Sequence, residues 1–274
     1  MSVFSQAVIY LLVALPAVAQ SQAFATITIK LVRSADPRNA DVQLLPNGGL
    51  IASAVPVITL LSYAYDVPVN PSPRLSRLPS WTLTERYDIE AKAPANAVPP
   101  TLQDSEVRSR KQQMIRELLA DGFKLVMRVE NKTMPVYALT LAGGGPKPKK
   151  ATITEKECAF GAGPEECHNF AGGLGHPLIA KAIDMDDLVD YIGNWTDLPV
   201  VNRTALPGLF TVNTEGWAPM RLPPPPPNAI PAGNPFAGLP TIFTVLGKLG
   251  LELKRQEDTL PIYTAESIER PAAN

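Results

Sequence analysis

Apolar positions recur along this chain in two patterns, and both patterns occur twice. Val107, Met114, Ile115, Leu118 and Leu119 line one side of a 3.6-residue period, and Ile242, Phe243, Leu246 and Leu249 do so again near the end. Spacings of three, four and seven predict an amphipathic helix in each place. Each helix is followed by a glycine, Gly122 or Gly250, where a left-handed backbone at the first residue beyond the helix costs glycine least. Alternation then replaces the helical period: Phe123, Leu125 and Met127 in the first copy, Leu251 and Leu253 in the second. Period two is the signature of a half-buried strand. A polar stretch follows, Glu130-Asn131-Lys132-Thr133 or Glu257-Asp258-Thr259, and then an apolar-Pro-β-branched-Tyr unit, Met134 to Tyr137 or Leu260 to Tyr263. Strand, polar turn and second strand predict one β-hairpin in each half.

The correspondence extends upstream. Leu60-Leu61-Ser62-Tyr63 with Val67-Pro68-Val69-Asn70 parallels Leu188-Val189-Asp190-Tyr191 with Leu198-Pro199-Val200-Val201-Asn202. Short strands follow at Arg86 to Glu90 and at Leu209 to Asn213, and a proline-rich segment precedes each last helix, at Pro94 to Pro100 and at Pro219 to Pro240. Asp184 suits an N-cap and Asp187 the N3 position, with Met185, Leu188, Val189 and Ile192 at helical spacing behind them. The expected fold is therefore α+β, with two pseudo-repeated lobes, each running helix, strand, proline-rich linker, helix, β-hairpin. The lobes are expected over residues 20–142 and 177–274, joined by a Gly-rich linker over 143–176. A proline-rich insertion over 218–240 contains the run Pro223 to Pro227, which reads as an exposed polyproline II spacer or a docking segment.

Residues 1–19 change the picture by pointing to a compartment. No charged side chain occurs before Lys30, and the apolar run Ala7 to Ala19 ends in Ala17-Val18-Ala19, a signal-peptidase pattern. That run is shorter than the ~20 residues needed to span a bilayer, so the reading is a signal peptide with no stable membrane span after cleavage. The chain is expected to be exported, periplasmic or extracellular. A net charge of −1 over 274 residues gives no electrostatic reason to expect a nucleic-acid partner.

In an exported chain the two cysteines, Cys158 and Cys167, are expected to pair as a disulfide. The competing reading is a metal site formed with His168 and His176, although this spacing fits no familiar zinc pattern. Gly-x-Ser-x-Gly, Ser-x-x-Lys and His-Glu-x-x-His motifs are absent, which closes three common hydrolase routes. Asp184, Asp186, Asp187 and Asp190 could supply paired carboxylates, or could serve as helix caps and a solvated face. Gly143 to Lys150 lacks the Gly-Lys-Ser/Thr ending of a phosphate loop and reads as a basic linker. Trp81, Tyr87, Trp195, Phe210 and Trp217 are read as core or strand-end residues, with a ligand groove as the alternative. No catalytic, cofactor-binding or metal-binding residue is assigned, and no cofactor is expected.

Several segments together carry a family resemblance: Pro79-Ser80-Trp81, Glu85 to Ala93, Leu118 to Leu125, Pro135 to Leu139, Val200 to Gly208 and Leu249 to Leu253. In combination they resemble a soil-associated family of exported proteins of unknown function, expanded in acidobacterial genomes. Asn202-Arg203-Thr204-Ala205-Leu206-Pro207-Gly208 departs from the family's usual Asp-Arg-Thr-Gly-Leu-x-Gly. Leu209-Phe210-Thr211-Val212 departs from its usual Arg-Tyr-Asp-Phe, with the apolar strand positions kept. The family supplies no catalytic residues, and the resemblance implies an extracytoplasmic sensing or interaction module. The expected function is non-catalytic binding of an envelope protein or peptidoglycan-type component; the alternative is an envelope hydrolase that uses carboxylates.

Overall fold

A computed structural model describes residues 23–33, 40–45, 47–69, 72–99, 101–102, 104–144, 147–154, 157, 167–222 and 235–272. The signal segment, Cys158 and the run Pro223 to Pro227 lie outside the described residues. The architecture is mixed α+β, with five helices and eleven strands among the described residues.

Strands β1 (Thr26–Val32), β2 (Asp41–Leu44), β3 (Leu50–Pro56) and β5 (Arg86–Lys92) form an antiparallel sheet in the order β1-β5-β3-β2. Tyr87, Ile89 and Ala91 alternate inward from β5, as period two requires. Helices α1 (Val57–Tyr65) and α3 (Asp104–Phe123) bury Leu60, Leu61, Met114, Ile115, Leu118 and Leu119 in the same core. The short helix α2 (Trp81–Thr84) places Trp81 beside Phe123, whose ring also meets Tyr87 edge-on at 5.3 Å.

A second sheet of β7 (Phe170–Ala171), β8 (Ile179–Ile183) and β10 (Phe210–Asn213) packs beneath α4 (Met185–Gly193) and α5 (Ile242–Lys248). Its core takes Leu178, Leu188, Ile192, Phe210, Val212 and Leu246. The expected capping box is present: Asp184 accepts the Asp187 amide at 2.7 Å, and Asp187 accepts the Asp184 amide at 3.1 Å. Met185, Leu188, Val189 and Ile192 are all buried. Part of the stretch read as a basic linker is instead a sheet edge, with Lys150 bridged to Phe210 and the Ala151 amide bonded to the Leu209 carbonyl.

The two expected hairpins do not form. Each proposed hairpin is a single long strand, β6 (Val126–Leu141) or β11 (Leu251–Ser267), and these two strands pair antiparallel along their length. The polar stretches Glu130 to Thr133 and Glu257 to Thr259 stay extended. Neither contains the Asn-Gly or Asp-Gly pair that a tight hairpin turn favours. Thr133 lies opposite Thr259, their hydroxyls 3.0 Å apart. Parallel strands flank the ribbon, β4 (Leu75–Ser76) on β11 and β9 (Val200–Asn202) on β6, in the order β4-β11-β6-β9. The ribbon feeds both cores: Tyr263 and Ala265 enter the first, Tyr137 and Leu139 the second.

The glycine assignments divide. Gly250 follows α5 with φ 76°, as expected. Gly122 lies inside α3, where an added Cβ would stand 2.5 Å from Ile29 Cδ1, and the left-handed residue after that helix is Lys124 at φ 53°. Phe243, expected on the inward face of α5, is 40% exposed, and Val245 is buried there instead.

Candidate functional site

Helix α1 ends at Asp66, which adopts φ 47° and donates its amide to the Ser62 carbonyl. Aspartate tolerates this left-handed conformation better than most residues. The turn brings the Asp66 carboxylate to Arg108, on the polar side of α3, at 3.0 Å. Arg108 also meets two carboxylates of α4: it donates to Asp190 and lies 3.6 Å from Asp187. One guanidinium thus gathers three carboxylates, one from the first half of the chain and two from the second. Beside it, Asn194 accepts the Val69 amide at 3.0 Å and donates to the Asp190 carbonyl at 2.9 Å. Arg74 supports the same turn, donating to the Asp66 carbonyl at 2.9 Å and the Pro261 carbonyl at 3.2 Å. On the far side His168 Nδ1 lies 2.6 Å from Asp187 Oδ2.

Desolvation raises the Asp190 carboxyl to about 7; Arg108 opposes that rise, while Asp66 and Asp187 add to it. Its side chain keeps 43% of its surface open, so solvent screens part of this effect. Asp184 rises to about 6, from burial first and then the nearby Asp187 charge. Burial works against the charge on Arg108, but Asp190, Asp66 and Asp187 outweigh it and hold the guanidinium protonated. Burial raises the Tyr63 hydroxyl, helped by Asp41, Asp187 and Asp190. Burial lowers Arg74, with Tyr263, Asp66 and Asp190 resisting.

The four aspartates from Asp184 to Asp190 have separate duties. Asp184 caps α4, and Asp186 accepts from the Asn202 amide group at 2.9 Å. Asp187 combines its capping role with His168 and Arg108, while Asp190 belongs to the joint rather than to a solvated face. His168, Asp184 and Asp187 offer ligand atoms within 4.8 Å of one another. That grouping is not the cysteine–histidine set weighed from the sequence. His176 is exposed and donates its amide to the Gly173 carbonyl, and Cys167 forms an isolated bridge with Ala182. Pairing of Cys167 with Cys158 involves a residue outside the described ones. Trp81, Tyr87, Phe210 and Trp217 are buried core residues, and Trp195 packs against the second core.

Arg108, Asp66 and Arg74 went unassigned in the sequence because their partners are remote: Asp190 lies 82 residues from Arg108, and Asp66 lies 42. The expected correspondence of Leu60–Tyr63 with Leu188–Tyr191 put the ends of α1 and α4 at matching places, and it is there that these contacts form. Elsewhere a shallow depression of about 160 Å³ is lined by Lys147, Lys149, Lys248, Thr211, Met185 and Leu251, among others, with no carboxylate in its wall.

Residues 58–268 match the family model described as a protein of unknown function, DUF3738. No curated protein matches the chain, and no solved structure does.

Proposed function

Because the chain belongs to the DUF3738 family of proteins of unknown function, we propose that it is an exported, non-catalytic binding or sensing module of the cell envelope. The observation that carries this reading is the commitment of the carboxylates. Asp66, Asp187 and Asp190 are engaged by Arg108, and Asp184 is engaged by a helix amide. A general acid–base pair must instead face a substrate across a cleft. Partners of the envelope-protein or peptidoglycan type would then meet open sheet edges such as β1 and β2.

The same proposal takes the two halves as copies of one unit that have exchanged their last strands. Support comes from the Thr133–Thr259 pair at the ribbon's centre, about which β9 on Tyr137 and β4 on Tyr263 are placed alike. Residues 1–19 would be the signal peptide, 20–142 and 177–274 the lobes, and 143–176 a linker closed by Cys158 and Cys167. The insertion 218–240 would be a spacer. No helix among the described residues is long and apolar enough to cross a membrane.

The raised Asp190 and Asp184 favour the second reading, an envelope hydrolase, since a raised carboxylic acid suits a general acid. One experiment separates the two. Chain from Gln20 onward, wild type or Asp190→Asn, is incubated with purified peptidoglycan and with solubilised envelope proteins; retained protein and released fragments are both measured. Binding predicts retention of both forms with no fragments. Fragments from wild type alone establish the hydrolase, and neither retention nor fragments sinks both readings.

A further inference from the structure

Three lysines converge on the depression beside the second sheet: Lys147 and Lys149 from the segment that edges β10, and Lys248 from the last turn of α5. Its floor is apolar, made by the buried side chains of Met185, Val212 and Leu251. The backbone places two of the cations. The Thr211 amide donates to the Lys149 carbonyl and the Ala151 amide to the Leu209 carbonyl, both at 2.9 Å, which fastens this segment along β10. Pro148 disfavours a helical conformation at Lys147, and on an extended chain residues two apart share a side. Lys147 and Lys149 both line the wall, whereas Lys150 stands outside it, donating to the Pro207 carbonyl and lying 4.1 Å from the centre of the Phe210 ring.

Lys248 is paired with Glu215, which is not part of the wall. Lys147 and Lys149 have no such partner: among the described residues neither ammonium makes a hydrogen bond or an ion pair. Like charges held on one wall repel, and an anion between them removes that repulsion.

We propose that this depression is a binding site for a phosphate group carried on an aliphatic chain. Lysine ammoniums bind phosphate as point charges from several directions, whereas a planar carboxylate is matched best by an arginine fork, and no arginine lines the wall. The apolar floor takes the aliphatic part, and a volume of about 160 Å³ limits the occupant to a head group with a few carbons. The site holds whether the chain is a binding module or a hydrolase.

The test titrates the chain from Gln20 onward with n-hexyl phosphate, inorganic phosphate and hexanol, followed by the amide shifts of Lys149, Thr211 and Lys248 in nitrogen-15 NMR spectra. Hexyl phosphate should bind tighter than inorganic phosphate by about fourfold for each methylene buried, and tighter than hexanol. Its affinity should fall as salt is raised from about 0.05 to about 0.5 M. Lys147→Gln combined with Lys149→Gln should weaken it by about tenfold, the sum of two exposed pairs, while Lys132→Gln on the ribbon should leave it unchanged. Both substituted lysines are exposed, and the salt dependence is measured in the unmodified protein, so it needs no variant. Affinity that ignores salt, survives the double variant, or is no better than that of inorganic phosphate or hexanol overturns the proposal. Vesicles of phosphatidylcholine with or without phosphatidic acid then separate the sources of the phosphate. Sedimentation with phosphatidic acid alone, lost in the double variant, assigns a lipid headgroup; a response to hexyl phosphate without sedimentation assigns a soluble phosphate ester.

Discussion

Glu85 shows how much one residue can organise. It accepts from Arg270 Nε at 3.0 Å on each oxygen, from Arg270 Nη2 at 2.7 Å, and from the Tyr87 hydroxyl at 2.9 Å, while Arg270 lies over the Trp81 ring. These contacts tie the end of the chain to the first core. Hydrogen bonding from Arg270 holds the Glu85 carboxyl below its usual range. A lowered carboxylate contributes stability above its unfolded value, and that stability is lost as pH falls through the folded value. Glu85→Gln should therefore lower the melting temperature at pH 7 and flatten its decline below pH 4.5, as read by thermal melts across that range. Equal acid limbs for variant and wild type would remove Glu85 from this role. The sequence placed Glu85 just before the strand expected from Arg86 to Glu90, but its partner lies 185 residues away, beyond the reach of any local spacing.

Helix α4 was the most legible element. Its cap, its N3 acid and its apolar stripe are all local, and local patterns survive into the fold when packing agrees with them. Asp184→Ala should cost about 1 kcal/mol, whereas Asp184→Asn, which can still accept the Asp187 amide, should cost little. Urea melts of the two variants check the difference; equal losses would assign the effect to charge rather than capping. The hairpins were not legible for the opposite reason. Alternating apolar residues mark a strand but do not name its partner, and β6 and β11 present ladders that fit each other better than either fits itself. Likewise, Gly122 and Gly250 occupy similar places in the sequence, yet close packing against Ile29 keeps one helix running past its glycine.

At the scale of the whole molecule, the ribbon makes the two cores interdependent. Leu139 is fully buried in the second core, on the strand whose beginning, at Met127, packs against the first. Leu139→Ala should cost about 2–5 kcal/mol. Trp81 fluorescence in the first core should report the same lowered denaturation midpoint as backbone circular dichroism. Two separated transitions would show that the cores unfold independently. The contacts at Arg108 and the β6–β11 ribbon both depend on pairings between distant segments, which is why the local sequence patterns did not show them. The β6–β11 pairing also sets an order of assembly. The first core takes in Tyr263 and Ala265, so it cannot close before those residues have been made, long after its own helices. A chain built this way keeps its first core open to solvent until the far end of β11 is in place, so a truncation before Tyr263 would leave both the first core and the long ribbon incomplete.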